Sequence, residues 1–248
     1  MANWSDPRST VTAAAAPVDT RASATDAGLR GYMLSVYNMM ASGVLLTGIV
    51  ALAMVYTGAV NSLFDAETGK ASLLAYVLMI APFALVMVLS FGINRLSETS
   101  AKALFWAYAA LMGASLSTIL LVYTGTSVAQ IFFATAASFA GLSLWGYTTK
   151  RDLSAMGTFL IMGLVGLIVA SVINLFLQSS AMQMVISAIG VLIFAGLTAY
   201  DTQKIKSMYF QVAGTSFAGK SVVMGALTLY LDFINMFLFL LRLFGDRR

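Results

Sequence analysis

The chain has 248 residues, of which 60% are hydrophobic and only 10% are charged, and its mean hydropathy is +0.88. This composition lies outside the range of soluble globular domains and indicates an integral membrane protein. Because the sequence contains neither cysteine nor histidine, it excludes disulfides, thiolate or imidazole metal sites and Ser–His or Cys–His nucleophiles. We therefore expect no enzyme activity and no cofactor, and we attribute the net charge of +4 to loop anchoring rather than nucleic-acid binding.

The first segment, residues 1–30, mixes Ser, Thr and Ala with charges of both signs. No apolar core follows a basic start, so the pattern is not that of a signal peptide. We interpret it as a disordered polar tail. The remainder, residues 31–248, is predicted to form one compact transmembrane domain, because loops three and five are only a few residues long.

Seven apolar windows in this domain are long enough to cross roughly 30 Å of hydrocarbon as helices of about 20 residues. The windows are 33–56, 72–93, 103–123, 128–147, 156–176, 181–200 and approximately 224–243. They do not alternate as barrel strands do, and in lipid a helix satisfies its own backbone hydrogen bonds. The predicted fold is all-α, a polytopic membrane bundle of seven transmembrane helices, numbered one to seven below.

The orientation of the bundle is predicted from Lys and Arg, which are retained in cytoplasmic loops. Seven alternating spans place ten basic residues on one side: Arg8, Arg21, Arg30, Arg95, Lys102, Lys150, Arg151, Lys204, Lys206 and Lys220. The opposite side holds Lys70 and the three C-terminal arginines, which are the one contrary signal. We therefore expect a cytoplasmic N-terminus and an outside C-terminus.

An aspartate, Asp232, interrupts the last apolar window. An acid in hydrocarbon costs about 2.5 to 3.5 kcal/mol even on the insertion scale, so it needs a partner, water or a function. Thr228 and Asn235 share its helix face by their spacing of four and three residues, forming a polar stripe that should point into the bundle. With no base within a helical turn, Asp232 is predicted to be functional.

A second aspartate, Asp201, ends the preceding window, and Thr198 and Lys204 share its face. This acid has two interpretations of similar weight. It could pair with Asp232, or it could form a simple i,i+3 ion pair with Lys204 at the membrane interface.

Depth decides whether the two acids can meet. At about 1.5 Å per residue, Asp201 lies roughly 7 Å inside Lys206, and Asp232 lies roughly 10 Å inside if helix seven enters near Gly225. If that helix begins as early as Lys220, Asp232 sinks to roughly 18 Å and the pair separates. Periodicity alone does not choose between these alternatives. The intervening segment, 206–221, is interpreted as a longer sixth loop.

If the acids do meet, they cannot both ionise cheaply and would share one proton. A rise in pH would remove that proton, leave two repelling charges and favour separation of the helices or entry of a cation. Calcium fits, because it takes about six to eight oxygen ligands. Asp201 and Asp232 with Asn235, Thr198 and backbone carbonyls would supply several, and water the rest.

Arg95 is the only arginine near the cytoplasmic end of helix two. It could reach the acids and neutralise one of them. We favour the simpler interpretation that it is a positive-inside anchor.

Three strings, YTTKRDLSAMGTFL, AGLTAYDTQKIK and LTLYLDFINMFLFLLRLFG, resemble the bacterial branch of the Bax-inhibitor family. The resemblance covers roughly residue 30 to the C-terminus. It implies a bacterial inner-membrane bundle with the last helix central and surrounded by the other six, and a pH-sensitive calcium leak. It also implies that Asp201 and Asp232 are the pH sensor and gate, and that Arg95 is a latch. Some bacterial relatives lack the aspartates and are linked to a membrane-bound quality-control protease.

The leading hypothesis is therefore a proton-gated, calcium-permeable leak, whose partners are lipid, calcium and protons. The main alternative is a non-conducting membrane regulator that binds a quality-control protease or another membrane complex. Paired acids also suit a proton-coupled transporter, and less well an intramembrane aspartyl protease, because no further motif supports the latter.

Overall fold

The computed structural model describes residues 18–65 and 69–248, with side chains from residue 25. Within these ranges, seven helices are long and apolar enough to cross a membrane, which confirms the predicted all-α bundle. Helices one to seven are Val18–Tyr56, Leu73–Gly92, Glu98–Leu116, Gly125–Thr148, Ser154–Leu177, Ser180–Val212 and Ala218–Phe244. A short 3₁₀ helix, Ala59–Leu63, follows helix one, and a single turn, Ile119–Val122, continues helix three.

Hydroxyl side chains fix where four of the helices begin. The residues preceding helices two, three, four and six accept a hydrogen bond from a backbone N–H in the first turn, which satisfies a donor that the helix itself leaves unpaired. They are Ser72, Ser97, Thr124 and Ser179.

Helix one begins earlier than the sequence pattern indicated. It starts at Val18, so residues 18–30 are helical, whereas residues 1–17 of the expected tail lie outside the described part of the chain. The extension is held by tertiary contacts with helices six and seven. Leu29 is buried, the Tyr32 hydroxyl donates to Ser221 Oγ at 3.1 Å, and the rings of Tyr32 and Tyr209 lie 5.5 Å apart. Tertiary packing therefore stabilises a helix in a segment whose polar composition alone does not predict one.

The sixth loop is also shorter than expected. Helix six continues to Val212 and helix seven starts at Ala218, leaving a turn of residues 213–217. Gly214 adopts a left-handed φ of 75° in this turn, a conformation that glycine takes without a Cβ clash. The segment interpreted as a long loop is therefore mostly two helix ends.

The last helix is central, as the sequence resemblance implied. Its most apolar window is 67% buried, compared with 17% for helices two and five. It packs against helices one, three, four and six, while helix two packs on helix three and helix five packs on helix six. Four helices thus make the main contacts with the central helix, and helices two and five complete the outside of the bundle.

Close backbone packing holds helix six between helices four and seven. A Cβ on Gly146 of helix four would collide with the backbone carbonyl of Ala199. On the side of helix six that faces helix seven, a Cβ added to Gly190 would lie 2.7 Å from the ring of Phe239. Glycine at these positions lets helix six approach both neighbours closely, near Asp201 in the case of Ala199 and about three turns away in the case of Gly190.

The C-terminal residues fold back onto the turn between helices three and four. Asp246 O accepts from Thr124 N at 3.0 Å, Asp246 N donates to Ser127 Oγ at 2.9 Å, and Arg248 N donates to Val122 O at 2.9 Å. The C-terminus therefore lies at the end of the bundle opposite the turn between helices six and seven.

Candidate functional site

The side chains of Asp201 and Asp232 meet at the contact between helices six and seven. Only 9% of Asp201 and 4% of Asp232 is exposed, and their carboxyl groups lie within side-chain hydrogen-bonding reach of each other. Ionised carboxylates are acceptors only. A hydrogen bond between these groups therefore requires one proton between them.

The pair forms because the two acids lie at similar distances along their helices from the turn that joins helices six and seven. Asp201 lies eleven residues before the end of helix six at Val212, about 17 Å along its axis, and Asp232 lies fourteen residues after Ala218, about 21 Å. The acids therefore lie at nearly the same level. The inference that an early start of helix seven would separate the acids is wrong. It assumed that helix six ends near Lys206, whereas that helix continues to Val212.

At least one fully buried oxygen of the pair has no donor among the described N–H and hydroxyl groups. Asp232 Oδ2 is buried and accepts no hydrogen bond from an N–H or hydroxyl group of the described residues. A buried unsatisfied oxygen costs about 1–3 kcal/mol. A proton on the carboxyl of Asp201 is a donor within hydrogen-bonding reach of the Asp232 carboxyl group.

Lys204 does not neutralise the pair by direct contact. It is the cation whose charge acts on Asp201, but no salt bridge joins the two side chains in the described structure. Its Nζ lies 5.9 Å from the centre of the Tyr200 ring, and the side chain is exposed. The simple i,i+3 ion pair considered from the sequence is therefore not formed.

A cavity of about 920 Å³ extends from the acid pair and contains the rest of the predicted polar stripe. Thr228 and Asn235 line it together with Asp201 and Asp232. Their side chains donate to their own helix, Thr228 Oγ1 to Met224 O at 3.0 Å and Asn235 Nδ2 to Leu231 O at 2.8 Å. Helix five closes the opposite wall. The stripe therefore faces a cavity that is polar on one side and apolar on the other.

Two arginines line the cavity at the end away from Asp201. Arg242 lies 5.5 Å from the ring centre of Phe239, and Arg247 lies 5.8 Å from that of Tyr123. Sequence reasoning missed both as site residues. Arg242 was detectable, because it lies seven residues after Asn235 on the same helix face, whereas Arg247 reaches the cavity only through the folded-back C-terminus.

Two other predicted site residues lie outside this cavity. Thr198 is fully buried and donates to Phe194 O on its own helix at 2.8 Å. Arg95 is exposed in the turn between helices two and three and forms no salt bridge with either acid within the described ranges. Neither residue lines the wall around the pair.

The acid pair provides few ligands for a resident metal ion. No cluster of three or more His, Cys, Asp or Glu side chains occurs in the part of the chain that the structure describes. A calcium ion prefers about six to eight oxygens. An ion beside Asp201 and Asp232 would complete its shell from Asn235, Thr228 or backbone oxygens of the cavity and from water, which suits a passing ion better than a permanent one.

A central helix within a bundle of seven helices, each long and apolar enough to cross a membrane, defines the class as a polytopic membrane protein. Residues 29–248 match the family model described as "Inhibitor of apoptosis-promoting Bax1", and the chain belongs to this Bax-inhibitor family. The match confirms the resemblance seen in the three sequence strings.

Close relatives occur in several bacteria. The chain is 49% identical to the inner membrane protein YbhL of Escherichia coli, with 90% of this chain and 94% of that protein covered. It is 48% identical to the uncharacterized protein RP147 of Rickettsia prowazekii, covering 90% and 92%. An uncharacterized Caulobacter vibrioides protein is 45% identical, covering 94% and 95%.

Proposed function

We propose that this protein is a pH-sensitive, calcium-permeable cation leak gated by Asp201 and Asp232. The observation that carries the proposal is the meeting of two buried carboxyls at the polar side of a large cavity. A single hydrogen-bonded proton joins helix six to helix seven in the closed state. Its loss is the opening signal.

The direction of the pH response follows from the charges. At lower pH the pair holds one proton, carries at most one negative charge and links the two helices. At higher pH both groups are ionised, and two like charges about 4 Å apart repel by about 4 kcal/mol at an effective dielectric constant of 20. The repulsion separates the helices and attracts a cation, so flux rises with pH.

The cavity supplies oxygen ligands for the ion along the same face. Asn235 donates its amide hydrogen to the helix, which leaves its amide oxygen for a cation that approaches the pair. Thr228 contributes a hydroxyl oxygen. These neutral ligands bind calcium less tightly than a cage of carboxylates, as passage requires.

We place the protein in the bacterial inner membrane, because the Escherichia coli relative is described as an inner membrane protein. The excess of Lys and Arg in the sequence before helix one and around the turns after helices two, four and six supports a cytoplasmic N-terminus and an outside C-terminus. In this orientation the two cavity arginines lie at the outer end.

The proposal is tested in vesicles that contain the purified protein and a calcium dye. Wild type should admit calcium faster as pH rises, whereas Asp201→Asn and Asp232→Asn should show a pH response reduced by about tenfold. Asp246→Asn is the matched control, because this exposed acid lies outside the cavity. Unchanged flux and pH response in both cavity variants would remove the acid pair from the mechanism.

A second candidate function is a non-conducting regulator that binds a membrane-bound protease or another membrane complex. Gly166 of helix five favours it, because this exposed glycine has no atom within 4 Å of its Cβ position. Small exposed residues on membrane helices permit contact with another helix. Absence of calcium flux from pure protein, with protease co-purification that persists in the double Asp→Asn variant and is lost in Gly166→Phe, would favour this function.

A further inference from the structure

A second cavity, here called the crevice, separates helix one from helix four. It has a volume of about 700 Å³, and Phe233 of helix seven forms part of its wall. Tyr37 and Val44 line it from helix one, and Ala136 and Phe139 line it from helix four. Both helices pack against helix seven rather than extensively against each other. The crevice shares no lining residue with the cavity of the acid pair.

The crevice opens sideways into the membrane. Leu34 on helix one and Leu144 on helix four line it and are 51% and 63% exposed. In a membrane-spanning bundle, such side chains contact lipid rather than water. A molecule already dissolved in the bilayer can therefore enter the crevice without crossing water.

One end of the crevice is cationic. Arg30 lines this end, is exposed and forms no salt bridge with any described residue. Tyr147 lines the same end, and Lys206 Nζ lies 4.9 Å from the centre of its ring and donates to its backbone carbonyl at 2.8 Å. The opposite end, around Val44 and Ala136, is apolar. An occupant must therefore combine a negative head with a hydrocarbon body.

We propose that the crevice binds one anionic phospholipid, with its phosphate at Arg30 and an acyl chain beside Val44. The axial distance between these residues is about 21 Å at 1.5 Å per residue, which reaches from the surface past the middle of a hydrocarbon core about 30 Å thick. A planar guanidinium binds a phosphodiester through paired charge-assisted hydrogen bonds. A free phosphate would use only the polar end and leave the apolar walls uncovered, so the lipid is the better fit.

The bound lipid would contact the elements that carry the acids. Tyr37 Oη and Ser143 Oγ are hydrogen-bonded at 2.6 Å, and Ser143 Oγ and Thr202 Oγ1 at 2.8 Å. Thr202 follows Asp201 in the chain, and the wall residue Phe233 follows Asp232. The crevice therefore lies directly beside the contact between helices six and seven, although lipid binding does not depend on the proposed leak.

The test offers purified full-length protein an equimolar mixture of phosphatidylglycerol and phosphatidylcholine with identical acyl chains, and measures retained lipid by native mass spectrometry. Wild type should retain about tenfold more of the anionic lipid, because both lipids carry the phosphodiester but only phosphatidylcholine brings a cationic group close to Arg30. Arg30→Gln should abolish this preference. Arg151→Gln is the matched control, because this exposed arginine lies in the turn after helix four, at the same end of the bundle but outside the crevice.

A second variant tests the apolar part. Ala140→Phe should fill the crevice and reduce retention of both lipids, with an unchanged melting temperature showing that the bundle is intact. Equal retention of both lipids by wild type, or an Arg30→Gln variant that keeps the preference, would overturn the proposal. Displacement of the lipid by glycerol phosphate alone would also overturn it, because the headgroup would then account for binding without the crevice.

Discussion

Ile205 of helix six and Gly225 of helix seven lie in direct contact one to two turns from the acid pair. A Cβ on Gly225 would be 3.2 Å from Ile205 Cγ2. The contact lies on the side of the pair nearer the turn between the helices. Any separation of the two carboxyls that moves whole helices must also change this contact.

The first prediction concerns a disulfide cross-link placed at this contact. Because the chain contains no cysteine, Ile205→Cys/Gly225→Cys introduces the only pair of thiols. Oxidation should join helices six and seven and lower calcium flux at high pH by about tenfold, and reduction should restore it. The single variants under the same oxidant are the controls. Full flux through the cross-linked protein would mean that opening does not separate these helices.

The two cavity arginines should limit cation entry. Removing a positive charge from this end of the cavity lowers the electrostatic barrier to a cation, so Arg242→Gln and Arg247→Gln should each raise calcium flux several-fold at low ionic strength and less at high salt. Arg248→Gln is the matched control, because Arg248 does not line the cavity. Equal flux in all three variants would show that these charges do not face the path.

The packing between helices four and six should tolerate a larger side chain at one glycine of helix four and not at another. Gly146→Val places a side chain against the Ala199 carbonyl and should destabilise the protein by about 1–3 kcal/mol, the usual effect of overpacking. Gly141→Val lies on the same helix with no atom within 4 Å of its Cβ position and should have little effect. Melting temperature in one detergent compares the two variants, and equal losses would contradict the packing.

The start of helix five should depend on pH through Asp152. This exposed carboxylate accepts hydrogen bonds from the side chain and backbone of Ser154, which lower its pKa. Because the folded-state pKa lies below that of the unfolded chain, the contribution is complete at neutral pH and is lost as pH falls through the folded pKa. After correction for intrinsic exchange, the Ser154 amide should lose hydrogen-exchange protection in that acidic range, and Asp152→Ala should remove the protection at neutral pH.

The sequence predicts those parts of the fold that depend on local periodicity. Hydropathy locates seven spans, and the spacing of Thr228, Asp232 and Asn235 places them on one face, as found. A membrane-spanning helix needs a continuous apolar segment, so one sequence is sufficient to locate the spans. Because a helix has a fixed angular repeat, one sequence is also sufficient to predict which residues share a helix face.

Features that depend on contacts between distant segments were not predictable in the same way. Helices one and six extend past their apolar windows, and the added lengths pack on each other, as the rings of Tyr32 and Tyr209 do. The meeting of Asp201 with Asp232 depends on those extensions. The approach of Arg247 to the cavity depends on backbone hydrogen bonds of the C-terminal residues to the turn after helix three.

The most direct test of the account is whether Asp201 and Asp232 share a proton. Infrared difference spectra of the purified protein, recorded as pH is raised, report the carbonyl band of a protonated carboxyl. Wild type should lose one such band together with the onset of calcium flux, and the band should shift or disappear in both Asp201→Asn and Asp232→Asn. A band that stays the same in wild type and in either variant would show that one acid holds the proton alone, and would contradict the shared gate.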